Sequence, residues 1–328
     1  MTVRTAADTL ITIFGGSGFL GRHVVRALAK RDYRIRVAVR RPELAGHLQP
    51  LGRVGQINAV QANLRFPDSV AAAMRGSALA INLVGILFER RRQTFNAVQT
   101  RGAETVARIA AEHGASFIHV SAIGADPQSP SHYARSKAEG ERLVLAAQPD
   151  TTIVRPSIVF GPEDEFFNRF ASLARFSPAL PLIGGGHTAL QPVFVGDVAA
   201  AIAEIVDGKL MRDEPRAGIT YELGGPDVRT FKQLMEYTLA TIERQRLLVP
   251  LPFALARLQA SLLQFLPKPP LTPDQVELLR ADNIVSPEAA QSGRTLTGLG
   301  ITPTSIEAVV PSYLWRFRKT GQFRDRIA

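Results

Sequence analysis

Short apolar runs alternate with amphipathic segments through the first half of the chain. The runs are almost continuously apolar, as is typical of strands that a parallel sheet buries on both faces. The predicted strands are Leu10–Phe14, Ile35–Val39, Gln56–Val60, Ala78–Val84, Ser116–Ser121 and Thr152–Val154. The predicted helices between them are Phe19–Lys30, Thr94–Glu112 and Ser131–Ala147. Because parallel strands joined by helices need right-handed crossovers, this pattern predicts an α/β fold with a doubly wound parallel sheet.

The pattern loosens in the second half of the chain, where prolines and the run Gly184–Gly186 interrupt it. Val193–Ile205 and Tyr221–Leu223 are predicted to return to the main sheet. A smaller, mostly helical C-terminal lobe is predicted from helices at Thr230–Ile242, Phe253–Leu266 and Pro273–Ala281. The expected boundaries are 8–165, with returning segments at about 187–225, for the sheet domain, and 166–186 with 226–328 for the lobe.

The predicted helix Phe253–Leu266 carries an apolar stripe. The residues on this side are Leu255, Leu258, Leu262, Phe265 and Leu266. Such a face is expected to pack on the lobe's own core. The alternative is a helix that lies on a membrane or docks on a hydrophobic subunit, which suits a positively charged chain.

A glycine-rich loop follows the first predicted strand and opens the first helix. The run Gly15–Gly21 contains both G-x-G-x-x-G and G-x-x-G-x-x-G. Glycines let the backbone turn tightly and let a pyrophosphate approach the helix N-terminus, where free N–H groups favour an anion. This context predicts a dinucleotide-binding Rossmann fold. The predicted cofactor-binding residues of the loop are Gly15, Ser17, Gly18, Phe19, Leu20 and Gly21.

The tip of the second strand indicates which nicotinamide nucleotide binds. A carboxylate at this position binds the ribose 2′-hydroxyl of NAD, whereas an arginine accommodates the 2′-phosphate of NADP. The chain has Arg40 and Arg41 there and no acid, which favours NADP(H) over NAD(H). Asn63 and Leu64, after the third strand, are predicted by their position to border the adenine.

Tyr133 and Lys137 share one face of a predicted helix, because they are four residues apart. An ammonium beside a phenol stabilises the phenolate, and it can also bind ribose hydroxyls. Ser121, at the end of the preceding strand, completes a candidate catalytic set. The pair alone is a weak motif, but behind a glycine loop and a strand-end serine it indicates nicotinamide chemistry.

These motifs together resemble the short-chain dehydrogenase/reductase superfamily in its extended or atypical branch. The matching segments are Gly15–Gly21, Tyr133 with Lys137, Arg155–Gly161, Pro192–Ala199 and Tyr221–Pro226. The resemblance implies further cofactor contacts at Leu83, Val84, Gly85, Pro156, Ser157 and Ile158.

A narrower resemblance is to the nucleotide-binding accessory-subunit family of respiratory complex I. It lies in Asn82–Glu89, His119–Asp126 and Leu271–Leu279. This resemblance implies tightly bound NADPH, a structural or assembly role, and peripheral attachment to the inner membrane. Two alternatives stay open. One is an active NADPH-dependent oxidoreductase or epimerase on a small carbonyl, quinone or isoprenoid-like substrate, and the other is a sensor of the NADPH/NADP ratio.

The chain departs from the active members of the superfamily after the fifth strand. Those members place a serine or threonine there that donates a hydrogen bond to the substrate carbonyl. Here the run is Val120-Ser121-Ala122, so either Ser121 fills the position or Ala122 has replaced it. In the second case a transition-state donor is missing, and Tyr133 and Lys137 serve as ribose ligands alone.

The composition of the chain limits the kinds of protein, site and partner that the sequence allows. Apolar residues make up 45% and charged residues 21% of the chain, which is typical of globular proteins. The absence of cysteine excludes disulfides and thiolate chemistry, and the histidines show no metal-ligand spacing, so no metal is expected. The net charge of +10 suits phosphate, anionic lipid or an acidic partner. The basic run Arg90–Arg92 lacks interleaved aromatic residues, so no nucleic-acid binding is expected.

The location of the protein is expected from two absences. Met1–Thr9 shows no signal-peptide pattern, and no apolar run reaches the length that spans a bilayer. The protein is therefore expected to be cytoplasmic, and at most peripheral on the cytoplasmic face of the inner membrane.

Overall fold

The computed structural model describes residues 5–212, 218–267 and 269–321. The chain divides into two compact units. The first comprises the described residues up to Pro156, together with Gly196–Leu223 and Pro287–Ile301. The second comprises Ser157–Val195, Gly224–Ser286 and the described residues from Thr302 onward. Residues 157–165 and 187–195 thus lie in the second unit and 287–301 in the first, whereas the sequence pattern placed them the other way round.

The elements are numbered in chain order. The strands are β1 (Leu10–Phe14), β2 (Arg34–Val39), β3 (Ile57–Gln61), β4 (Leu79–Asn82), β5 (Ser116–Val120), β6 (Thr152–Pro156), β7 (Val159–Phe160), β8 (Ala179–Ile183), β9 (Ala189–Leu190), β10 (Val193–Phe194), β11 (Thr220–Leu223), β12 (Arg229–Thr230) and β13 (Leu247–Leu251). The helices are α1 (Phe19–Ala29), α2 (Pro67–Met74), α3 (Arg101–Glu112), α4 (His132–Ala147), α5 (Phe167–Phe176), α6 (Val195–Leu210), α7 (Phe231–Thr241), α8 (Phe253–Leu263), α9 (Pro273–Leu278), α10 (Pro287–Gln291), α11 (Ile306–Val309) and α12 (Pro311–Leu314).

A seven-stranded parallel sheet forms the centre of the first unit, in the order β11-β6-β5-β4-β1-β2-β3. The predicted doubly wound fold is confirmed. The direction of winding reverses between β1 and β4, so the carboxyl ends of these neighbouring strands open a crevice in which such folds bind ligands.

Helices cover the sheet because each presents an apolar stripe to it. Val70 and Met74 of α2 and Val106 of α3 pack in one buried cluster with Phe117 of β5 and Ile153 of β6. Val24, Val25 and Leu28 of α1 are likewise fully buried. Almost all residues of the central strands β1, β4 and β5 are buried, on both faces of the sheet, which explains their continuous apolar runs.

The second unit is built around an aromatic and aliphatic cluster. Phe160, Phe167, Phe231 and Met235 are buried in it. Three two-stranded sheets flank these residues: β7 with β10, β9 with β12, and β8 with β13. The lobe is mostly helical, as the sequence predicted.

The expectation that Val193–Ile205 returns to the main sheet is wrong for its first residues, whereas the part from Gly196 onward lies in the first unit. Val193 and Phe194 pair with β7 in the second unit, and α6 begins at the next residue. The ring of Phe194 packs against Phe160, with 5.7 Å between centroids. This aromatic contact holds the short strand in the second unit. Tyr221–Leu223 does join the main sheet, within β11.

The expected packing of the apolar stripe on α8 is also wrong. Ala256 and Ala260 are fully buried, whereas Leu258, Leu262 and Phe265 are 65%, 71% and 84% exposed. The two alanines pack in a small cluster with Val276 of α9, because small side chains let two helices approach closely. The large apolar residues are left on the outside. Among the helices in the described ranges, none has the length and apolar character that crossing a membrane requires.

Candidate functional site

The loop between β1 and α1 adopts a conformation that requires glycine at two positions. Gly15 has φ of +82°, in the left-handed region, and its N–H donates to the Ala38 carbonyl at 3.1 Å. A Cβ on Gly21 would lie 2.4 Å from the Gly15 carbonyl oxygen. A Cβ on Gly18 would meet only that same oxygen, at 3.3 Å. The loop therefore folds tightly, and Gly18 keeps its surroundings open.

The N-terminus of α1 is available to an anion. Gly18 is its N-cap and offers no side chain to accept the first N–H groups, and the first turn contains no acid. These N–H groups and the positive end of the helix dipole favour a phosphate. The loop and helix together can hold a pyrophosphate.

A pocket of about 270 Å³ opens beside this loop at the carboxyl ends of the strands. It brings together many of the residues that the sequence predicted for the cofactor, namely Gly15, Ser17, Gly18, Arg40, Asn63, Leu64, Leu83, Val84 and Gly85. Phe19, Leu20 and Gly21 form the first turn of α1 and are not part of the lining. A Cβ on Gly15 would lie 3.1 Å from the Val84 Cγ2, so glycine at this position lets the loop pack closely against the segment that follows β4.

The arginines around the pocket are not equivalent. Arg40 lines it, but Arg41 does not. The Arg41 Nε donates to Glu43 Oε1 at 2.8 Å, and both side chains are exposed. A further arginine, Arg65, lines the pocket and was missed by the sequence reasoning. Its place just after Asn63 and Leu64, at the carboxyl end of β3, was the signal that could have identified it.

Tyr133 and Lys137 lie together near the start of α4, as their spacing predicted. The Lys137 Nζ is 5.9 Å from the centroid of the Tyr133 ring. That ring packs edge-on against Phe95, with centroids 5.9 Å apart. Lys137 is only 5% exposed and donates to the Val120 carbonyl at 3.3 Å. Burial lowers the pKa of Lys137 to about 8, although the charge of Glu141 acts in the opposite direction.

Two buried polar atoms close to this pair have no hydrogen-bond partner among the described residues. They are the Ser121 Oγ at the end of β5 and the Gln99 Oε1. A Cβ on Gly85 would lie 3.4 Å from the Lys137 Nζ and 3.5 Å from the Gln99 Oε1. Because buried polar groups are normally paired, these atoms fit a site whose ligand supplies the missing partners.

Asn82 of β4 and His119 of β5 form a buried hydrogen-bonded pair. His119 immediately precedes Val120, whose carbonyl accepts the hydrogen bond from Lys137. The Asn82 Oδ1 accepts a hydrogen bond from the Val84 N–H at 3.1 Å, which leaves the Asn82 amide N–H to donate to His119 Nδ1 at 3.2 Å. Burial, and secondarily the charge of Lys137, lowers the pKa of His119 to about 3. His119 is therefore neutral near pH 7.

Close packing fixes the position of α4. A π-helical turn, Asn96–Thr100, precedes α3 where the sequence predicted one continuous helix. A Cβ on Gly140 would lie 2.3 Å from the Gln99 carbonyl oxygen in that turn. The Arg155 Nε also donates to Glu141 Oε1 at 2.9 Å, across a largely buried pair. These contacts place Tyr133 and Lys137 on a rigid element.

The remaining predicted residues divide between the two units. Pro156 ends β6 in the first unit, and its carbonyl accepts a hydrogen bond from the Ile123 N–H at 3.0 Å. Ser157 and Ile158 lie in the second unit. The Ser157 hydroxyl is within 2.6 Å of the Asn283 Oδ1 and 2.9 Å of the Asn283 carbonyl oxygen. It thus already has polar partners inside its own unit.

Comparison with known proteins gives a consistent result. A family model described as the NAD dependent epimerase/dehydratase family matches residues 11–217. A protein of Arabidopsis thaliana, named NADH dehydrogenase (ubiquinone) 1 alpha subcomplex subunit 9, mitochondrial, is 37% identical over 329 residues. The match covers 97% of this chain and 80% of that protein. The resemblance drawn from the sequence is therefore confirmed.

Solved structures share the fold. The NADPH-dependent quinone oxidoreductase of Escherichia coli, in complex with NADPH, has a TM-score of 0.72 at 20% identity, covering 93% of this chain and 99% of that one. The dTDP-glucose 4,6-dehydratase of Streptomyces venezuelae, with NAD bound, has a TM-score of 0.68 at 18% identity, covering 97% of each chain. The fold is thus an NAD(P)-binding fold, and it occurs with either nucleotide.

The expected cytoplasmic location is wrong. Relatives that match nearly the whole chain are named as mitochondrial proteins, which contradicts it. The expectation rested on two absences, of a signal-peptide pattern in Met1–Thr9 and of an apolar run long enough to span a bilayer, and neither absence determines a compartment.

Proposed function

The chain belongs to the NAD-dependent epimerase/dehydratase family, and we propose that within this family it is an accessory subunit of NADH:quinone oxidoreductase. In this role the bound nucleotide is mainly structural. The observation that carries the proposal is the 37% identity to a named alpha-subcomplex subunit over 97% of the chain. The pocket beside Gly15 supports the proposal that the protein binds a nucleotide.

The proposed nucleotide is NADP(H). Two charged side chains line the pocket, Arg40 and Arg65, and both are cationic. A 2′-phosphate carries the charge that complements them, whereas a 2′-hydroxyl would be bound better by a carboxylate. This charge pattern supports NADP(H) over NAD(H).

Each part of the nucleotide has residues suited to hold it. The N–H groups at the start of α1 bind the pyrophosphate, and Leu64 with Asn63 borders the adenine. Lys137 donates to ribose hydroxyls, with Tyr133 beside it. When bound, the nicotinamide ring supplies hydride chemistry. The residues of the chain bind and orient the nucleotide and exclude water from the buried end of β5.

The chain's own residues favour a structural role over turnover. Ser121 is only 4% exposed, while the next residue, half-buried, is Ala122, which has no hydroxyl. A substrate carbonyl at Ala122 would lack a donor, and loss of one such donor costs about 3–4 kcal/mol of transition-state stabilisation.

We also propose that the protein contacts a membrane surface. The exposed side of α8 carries Leu255, Leu258 and Leu262, followed by Phe265 and Leu266. Arg257 on the same helix is largely exposed, and its guanidinium forms an ion pair with Glu277 at 3.6 Å. Exposed leucines with a basic neighbour suit a helix that lies on an anionic lipid surface and does not cross it.

Purification of the protein from its native membranes tests the assignment. We expect respiratory-chain subunits to co-purify and mass spectrometry to identify NADP(H) in the isolated complex. Recovery of the protein without any respiratory subunit, in an extract where the complex itself stays intact, would contradict the accessory role.

The second candidate is an active NADPH-dependent oxidoreductase or epimerase. The observation in its favour is the position of the Lys137 Nζ over the Tyr133 ring, together with a Lys137 pKa of about 8. Such a pair can move a proton to a carbonyl oxygen. The test is NADPH oxidation with a panel of quinones, aldehydes and sugar nucleotides. A rate above background that Tyr133→Phe abolishes would establish this function instead.

A further inference from the structure

We propose that Arg65, and not Arg41, is the partner of Arg40 in selecting the 2′-phosphate of NADP(H). This inference rests on the proposed binding of NADP(H) and assigns the residue that decides the specificity. Arg40 and Arg65 are the charged residues of the pocket lining.

The register of the sheet brings these two arginines to one edge. β2 and β3 are parallel neighbours, and Val39 lies opposite Gln61 at their carboxyl ends. The pairing extends one residue further, because the Ala62 N–H donates to the Val39 carbonyl at 2.8 Å. The segments that carry Arg40 and Arg65 therefore leave the sheet side by side.

The loop after β3 is held in a defined conformation. The Arg65 N–H donates to the Asn63 Oδ1 at 3.2 Å, and the Asn63 N–H donates to the Ser69 Oγ at 3.0 Å. Asn63 and Leu64, which precede Arg65, also line the pocket. The backbone at Arg65 is thus fixed at the pocket rim by local hydrogen bonds.

The guanidinium of Arg65 has weak protein contacts. Its Nη1 donates to the Arg92 carbonyl at 3.4 Å, and its Cζ lies 5.8 Å from the centroid of the Phe66 ring. Neither contact involves a carboxylate, and within the described ranges Arg65 and Arg40 form no ion pair. Arg41, in contrast, is engaged by Glu43 at 2.8 Å.

The charge of the lining matches a phosphate dianion. Two guanidinium groups without carboxylate partners can each donate charge-assisted hydrogen bonds to phosphate oxygens. No aspartate or glutamate lines this pocket in the part of the chain that the structure describes. A 2′-hydroxyl would gain little from this lining, so the two arginines discriminate between the nucleotides through the phosphate.

The test compares Arg65→Gln with the matched control Arg41→Gln in the full-length protein. Calorimetry would measure the affinities of each variant and the wild type for NADPH, NADH, 2′,5′-ADP and 5′-AMP. Arg65→Gln is expected to weaken 2′,5′-ADP and NADPH at least tenfold and to leave 5′-AMP and NADH within about twofold. Arg41→Gln is expected to leave all four affinities within about twofold. Arg65→Lys should restore part of the lost affinity, and thermal melting would show that each variant is folded.

The results distinguish a failure of this inference from a failure of the proposed NADP(H) binding. If the wild type prefers NADPH, and Arg41→Gln but not Arg65→Gln abolishes the preference, this inference is overturned while NADP(H) binding stands. If Arg65→Gln weakens 5′-AMP and 2′,5′-ADP equally, Arg65 contacts the adenosine and not the 2′-phosphate, which also overturns it. If the wild type shows no preference for 2′,5′-ADP over 5′-AMP, the proposed NADP(H) binding itself fails.

Discussion

At the scale of single residues, the phosphate loop separates two roles of glycine. Gly21 is required by packing, because a Cβ there would overlap the backbone at Gly15 and Gly16. Gly18 has φ of −75° and meets only one carbonyl oxygen at 3.3 Å, so the protein itself can accept alanine there. What an alanine at this position obstructs is the approach of a pyrophosphate.

Gly18→Ala is therefore expected to weaken NADPH binding at least about tenfold, or about 1.4 kcal/mol, while the melting temperature without nucleotide changes little. Isothermal calorimetry and thermal melting measure the two effects. Gly46→Ala is the matched control, because a Cβ at Gly46 meets nothing within 4 Å. A Gly18→Ala protein that retains the full affinity for NADPH would show that the pyrophosphate lies elsewhere.

His119 makes the stability depend on pH. Its pKa is about 3 in the folded protein and about 6.5 in the unfolded chain. The unfolded chain therefore binds the extra proton between these values, and the free energy of unfolding falls as the pH drops below about 6.5. The slope from this residue is at most about 1.4 kcal/mol per pH unit.

Urea unfolding at pH 6.5 and pH 4.5 measures this loss. His119→Gln is expected to lose less stability than the wild type between the two values, although it starts from a lower value because Asn82 loses its partner. His47→Gln, at an exposed position, should keep the wild-type slope. Equal slopes in all three proteins would be inconsistent with a neutral buried His119.

The candidate site was only partly predictable from its residues. Gly15 and Arg40 follow from the strand–loop–helix pattern, because that pattern fixes where the carboxyl ends of parallel strands lie. The ion pair of Arg41 with Glu43 and the burial of Ser121 depend on side-chain directions that spacing does not encode. Arg65 was missed although its place just after Asn63 and Leu64, at the carboxyl end of β3, is visible in the sequence.

At the scale of elements, the sequence predicts a strand or helix well where a local pattern determines it. It predicts poorly where contacts with residues distant in sequence determine it. β1 has the bounds that the sequence predicted, because a strand buried on both faces has a continuous apolar sequence. The π-helical turn Asn96–Thr100 depends on the close approach of α4 at Gly140, a contact distant in sequence. β13 was not predicted, since it contains Pro250 and much of it is exposed. On α8 the periodicity identified the leucine stripe, but it could not show that Ala256 and Ala260 pack inward instead.

The exposed face of α8 leads to a prediction at this scale. Leu258→Ser combined with Leu262→Ser is expected to reduce binding to vesicles of phosphatidylcholine with anionic phosphatidylserine severalfold, because the buried apolar area falls. Flotation of the vesicles measures the bound fraction. Leu44→Ser, another exposed leucine at 59% exposure in the first unit, is the control. Unchanged flotation of the double variant would contradict membrane contact through α8.

At the scale of the whole molecule, a structural nucleotide acts as part of the fold. A ligand that binds only the folded chain stabilises it by about 2.7 kcal/mol at a concentration a hundredfold above its Kd. NADPH at that excess is therefore expected to raise the melting temperature of the wild type by a few degrees, and the gain with NADH at the same concentration should be smaller. Differential scanning fluorimetry measures both shifts. Equal shifts with the two nucleotides would argue against selection of the 2′-phosphate.

The separation of the first unit into three stretches of chain has a consequence for synthesis on the ribosome. β6 ends at Pro156, but its neighbour in the sheet, β11, begins only at Thr220, and the Glu222 N–H in β11 donates to the Arg294 carbonyl, still later in the chain. At about 5–20 residues per second, the nascent chain exposes the unpaired edge of β6 for several seconds. An open strand edge is a template for wrong pairing. The interval between the synthesis of these two strands is thus when wrong pairing can start at the edge of β6.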